Sequence, residues 1–174
     1  MNFIGKNINV INGKKNRNFM LLLTAGFLSL SSWGFSEVVD KDKEVFSLLK
    51  AAQTFREKKE FDKEAESYKK ALELDPKNAE IYVLLGDAYY YEMSKLQDAM
   101  QAYSKATFLD PKNAQAHIGI GTYFEIINQF QAAYDEYKKA SEINPQLSLP
   151  HKKMGFVLND MQKYDEAINE FPFW

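Results

Sequence analysis

The chain has 174 residues, 22 basic and 24 acidic side chains, and no cysteine. The length suits one ordinary domain. The missing cysteines exclude disulfides, thiolate metal sites, a cysteine nucleophile and a lipid-modified cysteine anchor, and the near-neutral balance argues against the clustered positive charge that nucleic-acid binding needs.

Residues 1–36 contain Lys6, Lys14, Lys15 and Arg17 and no acidic residue, which leaves 18 basic residues against all 24 acidic ones in the remainder. The basic stretch precedes a 12-residue apolar run, Phe19–Leu30, and Gly34-Phe35-Ser36 follows as a small-x-small pattern. That layout predicts a secretory signal peptide over 1–36, cleaved before Glu37, and a periplasmic or secreted protein. The alternatives are membrane anchoring through an uncleaved segment at residues 19–36 and an organelle transit peptide. The apolar run is short for a membrane span, which takes roughly 20 apolar residues.

A short linker is expected at 37–44. From there the pattern turns helical: Val45, Leu48, Leu49, Ala52 and Phe55 follow the i, i+3, i+4, i+7 rhythm of an amphipathic helix. A polar turn, 56–60, leads to a second helix marked by Phe61, Ala65, Tyr68, Ala71 and Leu72. Pro76 ends it, because the residue before proline is pushed out of the helical region. Asn78, Asn113 and Ser148 are predicted N-caps, and Pro150 falls in a first helical turn, where its missing N–H costs little.

The same phrase then returns. Pro76, Pro111 and Pro145 are separated by 35 and 34 residues. Ala71, Ala106 and Ala140 keep the period, as do Tyr68, Tyr103 and Tyr137, and Gly86, Gly121 and Gly155. Ala52 stands at the glycine position one unit earlier. Phe61, Leu96, Phe130 and Tyr164 form a further series. Self-similarity at this period marks a stacked repeat array. The units are 45–78, 79–113, 114–147 and an incomplete 148–174. The longer spacing implies one inserted residue, placed in the turn around 92–95. Glycine inside a helix costs about 1 kcal/mol relative to alanine, so its recurrence predicts close helix approach. Ala99, Ala133 and Ala167 are expected to play the same part on second helices, with Tyr89, Phe124, Tyr103 and Tyr137 filling the space between.

The spacing Tyr82…Leu85-Gly86…Tyr89…Ala99…Tyr103…Ala106…Pro111 resembles the tetratricopeptide repeat. His117…Ile120-Gly121…Phe124…Ala133…Tyr137…Ala140…Pro145 gives the same series in the next unit. The resemblance covers about 45–174 and implies an all-α fold: antiparallel helix-turn-helix repeats stacked into a right-handed α-solenoid. The first unit departs from the pattern with Ala52 for glycine and Glu64 for alanine, which predicts looser packing there. The fourth unit stops at Phe171-Pro172-Phe173-Trp174 without a polar capping helix. The expectation is a truncated product, with self-association through Phe171, Phe173 and Trp174 as the alternative.

No phosphate loop, Gly-x-Ser-x-Gly, His-Glu-x-x-His or calcium loop occurs in the sequence. No catalytic, cofactor or metal site is expected, and the chain is read as a non-enzyme. His117 and His151, 34 residues apart at one repeat position, are read as neighbouring packing residues, since two histidines without further ligands make a poor metal site. Carboxylates on helices are read as a solvated face.

The resemblance also implies that first helices line a concave groove where family members often bind peptides. By position this selects Leu49, Gln53 and Arg56; Val83, Asp87, Tyr90 and Tyr91; Ile118, Thr122, Glu125 and Ile126; and Lys152, Phe156 and Asn159. Val83, Tyr90, Tyr91, Ile118, Ile126 and Phe156 are predicted to form an exposed apolar stripe, the kind of surface that marks interaction sites. Some family members clamp a chaperone tail's carboxylate with Lys and Asn. The matching places here, Leu49, Gln53, Leu84, Gln115 and Gly119, hold no basic residue, which argues against such a clamp. Asp87 and Glu125 suit a ligand with apolar anchors and some positive charge. The expectation is therefore an exported, non-enzymatic scaffold that binds a protein or peptide. The alternatives are an accessory or N-terminal part of a larger enzyme, or a self-assembling array.

Overall fold

The computed structural model describes residues 32–92 and 95–170, with side chains from Asp40 onward. The predicted leader up to residue 31 and the tail Phe171–Trp174 lie outside those residues. The chain divides into two units, 1–38 and 39–174. The described part of the first, 32–38, is helical.

Among the described residues there are eight helices and no strand: α1 (Ser32–Glu57), α2 (Phe61–Leu74), α3 (Ala79–Tyr91), α4 (Leu96–Leu109), α5 (Ala114–Ile126), α6 (Phe130–Ile143), α7 (Ser148–Asp160) and α8 (Tyr164–Glu170). They form four hairpins in chain order. Residues 37–44, predicted as a linker, belong to α1. Their alternating charges serve the helix, as in the exposed Asp40–Lys43 pair one turn apart at 3.7 Å.

Within hairpins the turns are 58–60, 127–129 and 161–163, three residues each, whereas 92–95 has four. The inserted residue thus sits where the period places it. Each three-residue turn closes with the same pair of backbone bonds. Lys59 N–H donates to the Arg56 carbonyl and Glu60 N–H to Phe55; Asn128 and Gln129 donate to Glu125 and Phe124; Gln162 and Lys163 donate to Asn159 and Leu158. This is the Schellman closure, which needs a left-handed residue. Here that residue is never glycine: φ is 59° at Lys59, 58° at Asn128 and 62° at Gln162.

Between hairpins, Asn78 accepts from the Ile81 N–H at 3.3 Å and Asn113 from the Ala116 N–H at 2.9 Å, as predicted for N-caps. The third cap differs. Leu147 occupies it without a side-chain bond, and Ser148 is the first helical residue. The repeat period carries Asn113 to Leu147, one position before the serine. Pro150 lies in the first turn of α7 and is buried.

The core lies between the layers of first and second helices. Consecutive helices pack from α2 to α8, and α3 also touches α5, so first helices of these two units lie side by side. Ala52, Ala71, Ala88, Ala106, Ala133 and Ala140 are fully buried, which lets helix backbones approach closely. A Cβ on Gly86 would lie 2.5 Å from the Tyr103 ring, and one on Gly121 would lie 2.6 Å from Tyr137. The predicted glycine–aromatic packing is therefore direct contact. Gly119 of the next unit meets the same Tyr103 ring, at 2.6 Å from its would-be Cβ. Tyr103 is thus held between glycines of two repeats. Glu64, expected to loosen the first unit, is fully buried and bonded to Arg56 at 2.6 Å.

Candidate functional site: the inner face of the first helices

The inner face is carried by α3, α5 and α7, with the C-terminal part of α1 beside them. Helical spacing directs its residues in two ways. Val83 and Ile118 are 3% and 5% exposed. They are core residues, which corrects their place in the predicted exposed stripe; Ile118 packs in one buried cluster with Ala133 and Tyr137 of α6 and Met154 and Val157 of α7. Leu49 is buried too. Tyr90 and Ile126 are half-buried, while Tyr91 and Phe156 are 56% and 52% exposed. Lys152 and Asn159 are exposed, and Gln53 is half-buried.

The structure brings Tyr90 and Tyr91 together edge to face at 5.7 Å. Tyr91 also stacks on Phe61 of the preceding unit, with centroids 5.5 Å apart. The Arg56 guanidinium lies 6.0 Å from the same ring. Residues from α1, α2 and α3 thus converge on one aromatic face, held by stacking and a cation–π contact.

The polar residues are arranged differently from the prediction. Asp87 accepts the Tyr103 hydroxyl at 2.7 Å. Glu125 accepts the Tyr137 hydroxyl at 2.6 Å and binds Lys153 at 3.0 Å. Thr122 donates to the Ile118 carbonyl at 2.9 Å and lies 3.2 Å from the Tyr137 hydroxyl. The charges expected to attract a cationic ligand are therefore already bonded within the protein. Burial pushes Asp87 above its ordinary carboxylate range, against the Tyr103 hydroxyl and the Arg56 charge. Burial also raises Tyr103 and Tyr137, with Asp87 and Glu125 beside them acting in the same direction. Glu64 is raised by burial, opposed by Arg56 and Tyr68. Burial works against the charge of Arg56, but Tyr68 and Glu64 hold its pKa above the ordinary value. A buried tyrosine O–H needs a partner, and carboxylates on first helices supply it.

This series of hydroxyl–carboxylate pairs was not read from the sequence. The tyrosines are periodic, but the carboxylates are not: Asp87 and Glu125 occupy different positions of their units. The periodic tyrosine was the available signal, since its hydroxyl had to be satisfied somewhere.

The histidines, predicted as packing neighbours, each bond a glutamate of the same hairpin. His117 Nδ1 lies 2.7 Å from Glu136 and Nε2 lies 3.1 Å from the Pro111 carbonyl. His151 lies 3.3 Å from Glu170. Among the described residues no three metal-binding side chains come together, and no described helix is long and apolar enough to cross a membrane.

Helix hairpins stacked with their first helices on one face define an α-solenoid. Two family models match within it, TPR repeat over residues 52–90 and Tetratricopeptide repeat over residues 85–148. Residues 52–148 belong to the tetratricopeptide repeat family. Among solved structures, a crystal structure of MamA is 27% identical with a TM-score of 0.67, covering 79% of this chain and 80% of that one. The Arabidopsis OM64 TPR domain is 22% identical with a TM-score of 0.62, covering 71% and 98%. The first TPR of Spaghetti (RPAP3), bound to the HSP90 peptide SRMEEVD, is 16% identical with a TM-score of 0.65, covering 69% and 97%. No curated protein matches the chain.

Proposed function

We propose that this chain is a non-enzymatic protein-interaction scaffold that binds a peptide or helix along the inner face of its first helices. The carrying observation is the convergence of Phe61, Tyr91, Tyr90 and Arg56 from three helices, with Tyr91 more than half exposed. Tyrosine and arginine are the residue types that most often anchor interfaces. Ile126 and Phe156 extend the face along α5 and α7. The similarity in fold to a tetratricopeptide domain bound to an HSP90 peptide supports a peptide-type ligand.

The partners this face suits are apolar and aromatic in their anchoring groups. Asp87 and Glu125 give little to a cationic ligand, because Tyr103, Tyr137 and Lys153 already occupy them. Export is part of the same reading. It rests on the basic, apolar and small-x-small layout of 1–36, and the mature chain then begins at Glu37.

Capture from extracts of the native cells tests the assignment, with immobilised chain from Glu37 onward as bait. Tyr90→Ala combined with Tyr91→Ala should lower recovery of specifically bound partner at least tenfold, with the melting temperature followed as a folding control. Unchanged capture by a folded double variant removes the groove from consideration.

A further inference from the structure

Four helices deliver ionisable groups to one cluster beside the aromatic face. Arg56 comes from α1, Glu64 and Tyr68 from α2, Asp87 from α3 and Tyr103 from α4. The cluster holds two carboxyl groups and one cation. Glu64 is fully buried, and its Oε1 accepts from Arg56 Nε at 2.6 Å. Asp87 is half-buried and accepts the neutral Tyr103 hydroxyl at 2.7 Å. With both carboxyls ionised, the cluster would keep a net negative charge largely away from water, which is costly. A proton on one carboxyl removes that charge. Asp87 is the group suited to carry it, because Glu64 is bonded to the guanidinium itself. Burial raises both carboxyls, with Tyr103 and Arg56 opposing the rise at Asp87.

Arg56 is bound incompletely. Its Nη2 is buried and has no hydrogen-bond partner among the described residues, and the same is true of Glu64 Oε2. The two side chains are thus joined by a single bond and not by the two-bond fork that fixes an arginine on a carboxylate. The guanidinium can turn, and it holds a buried donor that lacks an acceptor, a costly arrangement. An ionised Asp87, already within reach of the Arg56 charge, would supply that acceptor. In the structure the guanidinium instead lies 6.0 Å from the Tyr91 ring.

We propose that Asp87 is a proton-sensitive switch of the inner face. Protonated, it leaves Arg56 to Glu64 and to the Tyr91 ring. Ionised, it draws the guanidinium off that ring and sets a negative charge beside Tyr90 and Tyr91, its neighbours three and four residues along α3. The face is then apolar and ready for an aliphatic or aromatic anchor at lower pH, and less so as pH rises. Its use by a partner rests on the binding role proposed above. The other ionisable groups near the cluster are Tyr90 and Tyr91, which act on Tyr103. From α5, Glu125 is already bonded to Tyr137 and Lys153.

Nuclear magnetic resonance of the full chain with carbon-13 carboxyl labels tests the switch, with no ligand present. Asp87→Asn assigns the Asp87 signal, and a blocked synthetic peptide of residues 85–89 gives the solvated reference. The Asp87 carboxyl should ionise at a higher pH than in the peptide. The Tyr91 ring and Arg56 Nε signals should shift with the same midpoint, and Asp87→Asn should hold them constant. Glu64→Gln leaves Arg56 facing one carboxyl, so the Asp87 midpoint should move down. A raised carboxyl pKa contributes stability that is full at low pH and lost as pH rises through it. The melting temperature of the unaltered chain should therefore fall relative to that of Asp87→Asn as pH rises. An Asp87 midpoint at or below the peptide's overturns the proposal. So do Tyr91 and Arg56 signals that do not follow Asp87, or a midpoint unmoved in a folded Glu64→Gln variant. If that variant does not fold, the melting comparison decides, and a constant difference from Asp87→Asn overturns the switch. Capture by the Tyr90→Ala, Tyr91→Ala variant is a separate readout: unchanged capture there leaves the titration standing, and a failed titration leaves the groove standing.

Discussion

Tyr103 stands between Gly86 and Gly119, each of which would place a Cβ within about 2.6 Å of its ring. The ring is buried and its hydroxyl is bonded to Asp87, so it has no free direction in which to retreat. Overpacking a core costs roughly 1–3 kcal/mol, and the helix preference of alanine over glycine returns about 1 kcal/mol. Gly86→Ala or Gly119→Ala should therefore lower stability by up to about 2 kcal/mol, measured as a lower urea midpoint with an unchanged slope. Gly86 was legible as a packing residue because it recurs. Gly119 was not, because its neighbours in the period are Leu84 and Lys153. A residue that appears once leaves no trace in a repeat comparison.

Among the elements, the helices and their proline-marked turns were legible, down to the extra residue in 92–95. The hairpin turns hold a feature that was not. Lys59 and Gln162 adopt left-handed backbone conformations with side chains that have no local reason to prefer them. A non-glycine residue there costs about 1–2 kcal/mol, part of which glycine regains while losing more chain entropy on folding. Lys59→Gly and Gln162→Gly should each stabilise the chain by a few tenths to about 1 kcal/mol. Asn128→Gly should do less, since asparagine tolerates this conformation. Thermal melts followed by circular dichroism would rank the three. The start of α1 was misread for a related reason. A run of charges looks like a linker when its one-turn pairing is not considered, and Asp40–Lys43 supplies that pairing.

At the scale of the molecule, the sequence conveyed the architecture almost whole and the inner face only in part. Periodicity reports which positions are packed, and the fold is built from those. The site is built from what differs between units, so each of its residues had to be placed by contacts that cross units. Val83 and Ile118 share a repeat position, and both turned inward. Tyr90 and Glu125 share another: one lies beside Tyr91 in an aromatic cluster, the other binds Tyr137 and Lys153. The family pattern could not distinguish these outcomes.

The ring of Tyr103 between two glycines also bears on mechanics. Parting the second and third units draws the Gly119 backbone away from a flat aromatic surface that it meets in direct contact. Their joint should be stiff and brittle, resisting small deflections and giving way abruptly under a larger load.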